Sequence, residues 1–309
     1  MAIPSPLAAL TSILRCPYCG GMLVLEDRTL ICPTGHNFDL AREGYVNLSQ
    51  SRQTGDRKDM LRARRRFLDA GYYQPLSDLI NRLVAEHCQD DPCTVLDAGC
   101  GEGYYLGRLS QHLAGQPASL PSSTGNPRPQ SGARPRMAAS PIRALGLDAA
   151  KEAARMAASR YRAAAFLVAD LTECLPLADE QVNALLNVFA PRHAKEFARV
   201  LRPDGLLLSV IPEPNHLGEL RRLLPLLGIE DRKEEQVRAT LGREFVPAGA
   251  EHLSYPFYLA GEALGDLVWM TPSARHLDDA ARADLAAVGS TTLPLTASFF
   301  VLSFRPRYT

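Results

Sequence analysis

Residues 95–105 read VLDAGCGEGYY, and the fold follows from how this stretch is parsed. An apolar run closes on Asp97, a turn carries Gly99, Gly101 and Gly103, and a helical pattern follows. Strand, glycine turn and helix in that order present a ligand at the carboxyl end of a strand in an open α/β sheet. The turn is not the G-x-G-x-x-G of dinucleotide loops, because Tyr104 and Tyr105 follow Gly103 directly. Its charge differs too: Asp97 and Glu102 flank it, and carboxylates there repel a pyrophosphate. They suit a ligand carrying an ammonium and a sulfonium, which is S-adenosylmethionine. Cys100 sits within the loop as a small packing residue.

A second acid is expected to end the next strand and take the ribose hydroxyls, about 20 residues on. Asp148 lies 49 residues after Gly99, or 22 once the 27 residues of 115–141 are set aside. Asp170, in VAD, ends the following strand, where the adenine edge is expected. Outward from the loop, IRALGLD, AFLVAD, NALLNVF and LLLSVI read as strands. AAKEAARMAASRY and HAKEFARVL read as helices between them, with LRPDG as a break. This alternation predicts an α/β fold with a doubly wound, Rossmann-like sheet, and STTLPLTASFFVLSF predicts an antiparallel edge that makes it mixed. The segment 115–141 has six Pro, five Ser and three Gly and predicts a flexible insertion, either a linker or an RNA-touching arm.

A second motif stands upstream. Cys16, Cys19, Cys32 and His36 form Cys-x2-Cys, twelve residues, then Cys-x3-His. Two close pairs on glycine turns supply the four ligands of a tetrahedral zinc. With no position left for water, the site is structural; a redox Cys-x-x-Cys would lack the second pair. Between this module and the sheet, residues 52–66 hold Arg52, Arg57, Lys58, Arg62, Arg64, Arg65 and Arg66 against Asp56 and Asp59. That surplus reads as a phosphate-binding footprint, with a solvated helix face as the plainer alternative. The expected organisation is a leader (1–14), a zinc ribbon (15–50), a basic helical connector (51–90) and a methyltransferase domain (91–309).

The bulk numbers set limits. Lys plus Arg and Asp plus Glu are 34 each in 309 residues, so net charge decides nothing about partners. No run approaches the ~18 apolar residues of a membrane span. The first fifteen residues lack the basic start of a signal peptide, which makes the cytoplasm the expected location. Seven cysteines do not suggest a disulfide framework.

Together these stretches resemble the RlmA family of 23S ribosomal RNA guanine methyltransferases. The likeness runs from the zinc pattern through HNFDLAREGYVNL (36–48), GDRKDMLRARRRFLDAGYYQPL (55–76), LDAGCGEGYY and FAP (189–191). It continues in PEPNHLGEL (212–220) and MTPSARHL (270–277), so it covers most of the chain outside the leader and the insertion. It implies methylation at N1 of either of two guanines in one 23S rRNA hairpin, by a homodimer. It also implies cofactor contacts at Tyr73 and His216, which the bare sequence reads only as a buried aromatic and a helix-start polar residue. Guanine N1 needs no cysteine nucleophile. Phe189 is the candidate to stack on the flipped base, or a core residue, and Asn187 shares its strand. Two rival readings remain: a methyltransferase for a quinone or antibiotic-like acceptor, and a non-catalytic zinc RNA-binding protein.

Overall fold

The computed structural model describes all residues except 1–5, 51–54, 90–91, 116–141, 225, 227, 229–231, 272–284, 286–287 and 308–309. The insertion, Arg52 and most of MTPSARHL therefore lie outside the described residues. Three short strands, β1 (Val24–Glu26), β2 (Thr29–Ile31) and β3 (Asn37–Asp39), form an antiparallel sheet around the Cys/His motif. After β4 (Tyr45–Asn47) come two helices, α1 (Lys58–Asp69) and α2 (Gln74–His87). In α2 Leu76, Ile80 and Val84 recur every four residues and are buried, and Pro75 sits in the first turn, where its missing N–H costs nothing.

The central unit alternates as expected: β5 (Thr94–Ala98), α3 (Tyr104–Leu113), β6 (Arg143–Asp148), α4 (Lys151–Arg160), β7 (Ala165–Val168), β8 (Val182–Val188), α5 (Ala194–Val200) and β9 (Leu201–Pro212). Then follow α6 (Gly218–Leu223), α7 (Lys233–Leu241), β10 (Phe245–Leu259), α8 (Gly261–Trp269) and β11 (Leu293–Pro306). The eight-stranded sheet runs β10-β11-β9-β8-β5-β6-β7-β4. All pairs from β9 to β4 are parallel, whereas β11 is antiparallel to both β9 and β10. Every residue of β5 is buried, as a central strand covered on both faces requires. The chain winds from β5 outward through β6 and β7, then restarts at β8 on the other side. That reversal opens a crevice at the carboxyl ends of β5 and β8.

The structure adds detail to the leader and the ribbon and changes two sequence expectations, the LRPDG break and the cysteines. The described part of the leader, 6–14, is a packed anchor: a 3-10 helix (Ala8–Ile13) buries Leu10 and Ile13, with Leu7 and Leu14 buried at its ends. Arg15 N–H donates to the Pro176 carbonyl and Ala178 N–H to that of Ile13. The last strand within the ribbon span, β4, joins the large sheet as the edge strand beside β7. The LRPDG break is absorbed into β9, where the register against β8 shifts between Val182 and Ala184. Cys88, after α2, and Cys93, before β5, are joined by a disulfide, and the other five cysteines are free.

Candidate active site and zinc centre

The glycine loop occupies the crevice at the end of β5. Gly99, Gly101 and Gly103 have φ of 88°, 55° and 84°, values an L side chain adopts only with strain. Gly101 N–H donates to Asp148 Oδ2 at 2.9 Å, and Ala150 N–H to Oδ1 at 2.8 Å, so the loop is tied to the end of β6. Asp97 is 1% exposed, and neither carboxylate oxygen makes a well-formed hydrogen bond, the Leu106 backbone alone lying near enough to favour its charge. Burial, reinforced by the nearby charges of Asp148 and Glu102, pushes its carboxyl up to about 8. A buried acid left unsatisfied costs stability, which is a reason to look for a cationic ligand. Asp170 follows β7, its Oδ1 accepting Thr172 N–H at 2.9 Å.

Not every residue of the loop faces the crevice. Glu102 is buried toward Arg64 and Arg65, whose charges partly offset its desolvation. Cys100 packs its sulfur against Gly146, where a Cβ would meet it at 2.8 Å. Tyr104 and Tyr105 open α3 with their rings in the core and their hydroxyls buried without partners.

The acceptor side lies directly against this loop. A Cβ built on Gly99 would stand 2.4 Å from the Cβ of Ala190, so the FAP turn after β8 touches the glycine loop. Phe189 has φ of 54° and is 44% exposed, a strained and open aromatic rather than a core one. Asn187 is fully buried: its Nδ2 donates to the carbonyls of Pro191 (2.8 Å) and Ala98 (3.5 Å), so it braces the turn instead of facing the crevice.

Tyr73 and His216, 143 residues apart, meet at 3.1 Å between Oη and Nε2. Ser298 N–H donates to His216 Nδ1 at 3.1 Å, which leaves the ring proton on Nε2, donating to Tyr73. The Tyr73 hydroxyl proton is thus free for another acceptor. Burial, aided by Arg221, lowers His216 to about 3, so the ring stays neutral. Tyr73, His216 and Phe189 all rest on Phe299, at centroid distances of 5.0, 4.7 and 5.6 Å. Phe299 joins donor and acceptor sides, and nothing local in STTLPLTASFF marks it.

The basic connector is not one open surface. Arg64 turns inward: it bonds Asp56 at 2.6 Å, and a Cβ on Gly101 would come within 3.2 Å of it. Burial would lower its guanidinium, but Glu102, Asp56 and Asp148 hold it above its ordinary value. Arg65 donates to the Met156 carbonyl at 2.9 Å, and Arg66 to Asp266 at 2.8 Å. Arg57, Lys58 and Arg62 remain exposed. Their ion pairs, Arg57 with Asp59 at 3.0 Å and Lys58 with Glu152 at 3.9 Å, are of the weak surface kind.

The four predicted metal ligands converge, all ligand atoms lying within 4.8 Å of one another. Cys19 and Cys32 sulfurs are 3.6 Å apart, and His36 Nδ1 is 3.5 Å from Cys16 and 3.4 Å from Cys32. A zinc tetrahedron with Zn–S of about 2.3 Å has edges of roughly 3.7 Å, so the cluster fits the ion. Burial would raise the Cys32 thiol, but hydrogen bonds from Thr34 and His36 bring it down to about 6, toward the thiolate that a metal needs.

Residues 14–50 match the N-terminal zinc-ribbon domain of RlmA, and residues 130–209 match a methyltransferase domain. A relative from Micromonospora griseorubida, named "Putative 23S rRNA (guanine-N(1)-)-methyltransferase", is 38% identical, covering 95% of this chain and 97% of its own. The 23S rRNA (guanine(748)-N(1))-methyltransferase of Streptomyces fradiae is 37% identical, covering 92% of this chain and 94% of its own. The chain belongs to the 23S rRNA (guanine-N1)-methyltransferase family. As in that family, the enzyme couples an S-adenosylmethionine site to a zinc ribbon with a Cys3His ligand set. The desolvated Asp97 carboxylate beside three left-handed glycines fits the methyl donor, whose ammonium and sulfonium would meet the acids Asp97 and Asp148. Among the described residues no helix is long and apolar enough to cross a membrane.

Proposed function

We propose that this methyltransferase acts on N1 of a guanine in a hairpin loop of 23S rRNA. The contact between Gly99 and Ala190 carries the reading, because it sets an exposed aromatic, Phe189, beside the donor loop. By its name the Streptomyces fradiae relative acts on guanine 748, and the equivalent guanine is the proposed target here. The small-molecule and non-catalytic alternatives leave the zinc ribbon or the intact glycine loop without a use.

When bound, S-adenosylmethionine supplies an electrophilic methyl carbon on a sulfonium. Asp97 would take the donor's ammonium, Asp148 its ribose hydroxyls, and Asp170 would border its adenine. Gly99, Gly101 and Gly103 let the backbone approach, while Tyr73, whose hydroxyl oxygen accepts from His216 and keeps its proton for another acceptor, would hold the methionine end. Phe189 would stack on the flipped guanine, and Asn187, bonded to Ala98 and Pro191, keeps the turn at its spacing. Methyl transfer to N1 would break the donor's carbon–sulfur bond and release the N1 proton to solvent. The products are 1-methylguanosine and S-adenosylhomocysteine.

Arg57, just before α1, and Lys58 and Arg62 within it would meet phosphates. Arg221 and Arg222, which with Glu219 line a cavity of about 400 Å3 formed by residues flanking His216, would offer a second basic patch to the strand. The ribbon, tied to the sheet through β4, would position the hairpin. The enzyme would work in the cytoplasm as a homodimer, a state that light scattering reads directly.

Two measurements check this assignment. Donor affinity should rise up to tenfold per pH unit from pH 6 to 8 and then stop rising. Free Asp97 is protonated below about 8, and binding a cation expels that proton. Calorimetry in buffers of different ionisation enthalpy should therefore detect proton release at pH 7, and a flat profile would remove Asp97 from the donor site. Cys16→Ser should lose zinc and at least tenfold in hairpin affinity while the donor still binds. Normal RNA methylation by the zinc-free variant would deny the ribbon any role in substrate positioning.

A further inference from the structure

Arg192 follows the FAP turn and is half-buried. Its Nε donates to Ser209 Oγ at 3.1 Å, and Ser209 Oγ in turn lies 3.5 Å from Asn187 Oδ1. Asn187 holds the carbonyls of Ala98 and Pro191, so the guanidinium is anchored from one edge to the same brace that fixes the turn. The other edge meets no carboxylate among the described residues. Arg64, Arg108, Arg160 and Arg199, also part-buried or buried, each have an aspartate or glutamate partner, whereas Arg65, Arg221 and Arg305 donate to backbone carbonyls. Arg192 has neither on its outer edge among the described residues. Burial accordingly pulls Arg192 below its ordinary value with nothing opposing it. The next residue, His193, also keeps its Nδ1 buried and unpartnered.

A cation held rigid, partly desolvated and unneutralised is costly to the free protein and ready for an anion. Its place narrows the choice. Arg192 stands two residues from Ala190, which touches the donor loop, and three from the exposed ring of Phe189. An anion there would lie beside the base stacked on Phe189. We infer that Arg192 binds a phosphodiester of the RNA strand next to the methylated guanosine, docking backbone and base on a single turn. This rests on the RNA reading given above. The competing anion is the carboxylate of the methyl donor, so the test must separate the two.

The test compares wild type, Arg192→Gln and Arg192→Lys, all as full chains with zinc, on an RNA hairpin carrying the target guanine. Calorimetry with S-adenosylmethionine should give the same donor affinity for all three, which also shows that the variants are folded. Hairpin affinity should fall about tenfold to a hundredfold in Arg192→Gln. The slope of log affinity against log salt should shrink by about 0.7, one single-strand phosphate, while Arg192→Lys keeps most of it. One uncharged methylphosphonate linkage flanking the target should weaken wild type and leave Arg192→Gln unchanged. Wild-type RNA affinity and slope in Arg192→Gln would overturn the inference, as would a loss of donor affinity, which would assign the residue to the donor carboxylate. Failure of wild type to methylate the hairpin at all would instead bring down the underlying RNA reading.

Discussion

Asp97→Ala should lower methyl transfer by roughly 30-fold to 3,000-fold while leaving zinc in place. Truncating one partner of a buried, hydrogen-bonded charge pair costs about 2–5 kcal/mol, at about 1.4 kcal/mol per tenfold. In the free enzyme burial and the charges of Asp148 and Glu102 outweigh the Leu106 backbone and push Asp97 toward the protonated form, so its removal relieves a cost more than it breaks a contact. Thermal stability should therefore be no lower in the variant even as activity collapses, a pattern expected of a binding residue and not of a structural one. Asp97→Asn keeps the shape and loses the charge, and should fall nearly as far. The pH dependence of donor affinity should vanish with it. Activity near the wild-type level in either variant would show that the donor's positive charge is met elsewhere.

Gly99→Ala should be nearly as damaging for a different reason. The new Cβ meets the Ala190 Cβ at 2.4 Å, and neither atom is the end of a flexible side chain, so backbone must move. The φ of 88° adds left-handed strain of about 1–2 kcal/mol. Donor loop and acceptor turn would be forced apart, and a displacement of about 1 Å between reacting groups can cost a hundredfold in rate. Pairing the change with Ala190→Gly removes the collision but not the strain, so it should restore much of the rate and little of the stability. If Gly99→Ala alone keeps full kcat, the spacing between the two turns is not set by this contact. If the pair recovers nothing, the damage comes from backbone strain alone.

The features legible in the sequence were local ones. The glycine loop and Asp148 could be read because strand, turn and helix succeed one another within a few residues. The Cys/His quartet could be read because metal ligands come in close pairs, and the structure brings all four together. What escaped was set by distant packing. Arg64 stands among six other basic residues in the sequence, yet a helix presents its faces to different neighbours, and this one turns toward Glu102 and Asp148. Asn187 alternates onto the brace side of β8, a register that only the pairing with β9 decides. Strand β4 looks like the tail of the ribbon until β7 is placed beside it. Phe299 and Arg192 carry no motif; each matters through what the sheet order sets next to it. A lone arginine after a strand gives no sign of lacking an acid partner. That lack becomes visible only when its surroundings are known.

The central claim is that the turn bearing Phe189 and the loop bearing Gly99 form one site for guanine N1. The most direct check is mass-spectrometric mapping of 23S rRNA after incubation with the enzyme and isotopically labelled S-adenosylmethionine. The label should appear as 1-methylguanosine at a single hairpin guanine, the equivalent of position 748, and should be absent when that guanine is replaced by adenine. Label on another base, on another atom of guanine, or only on small molecules would contradict it.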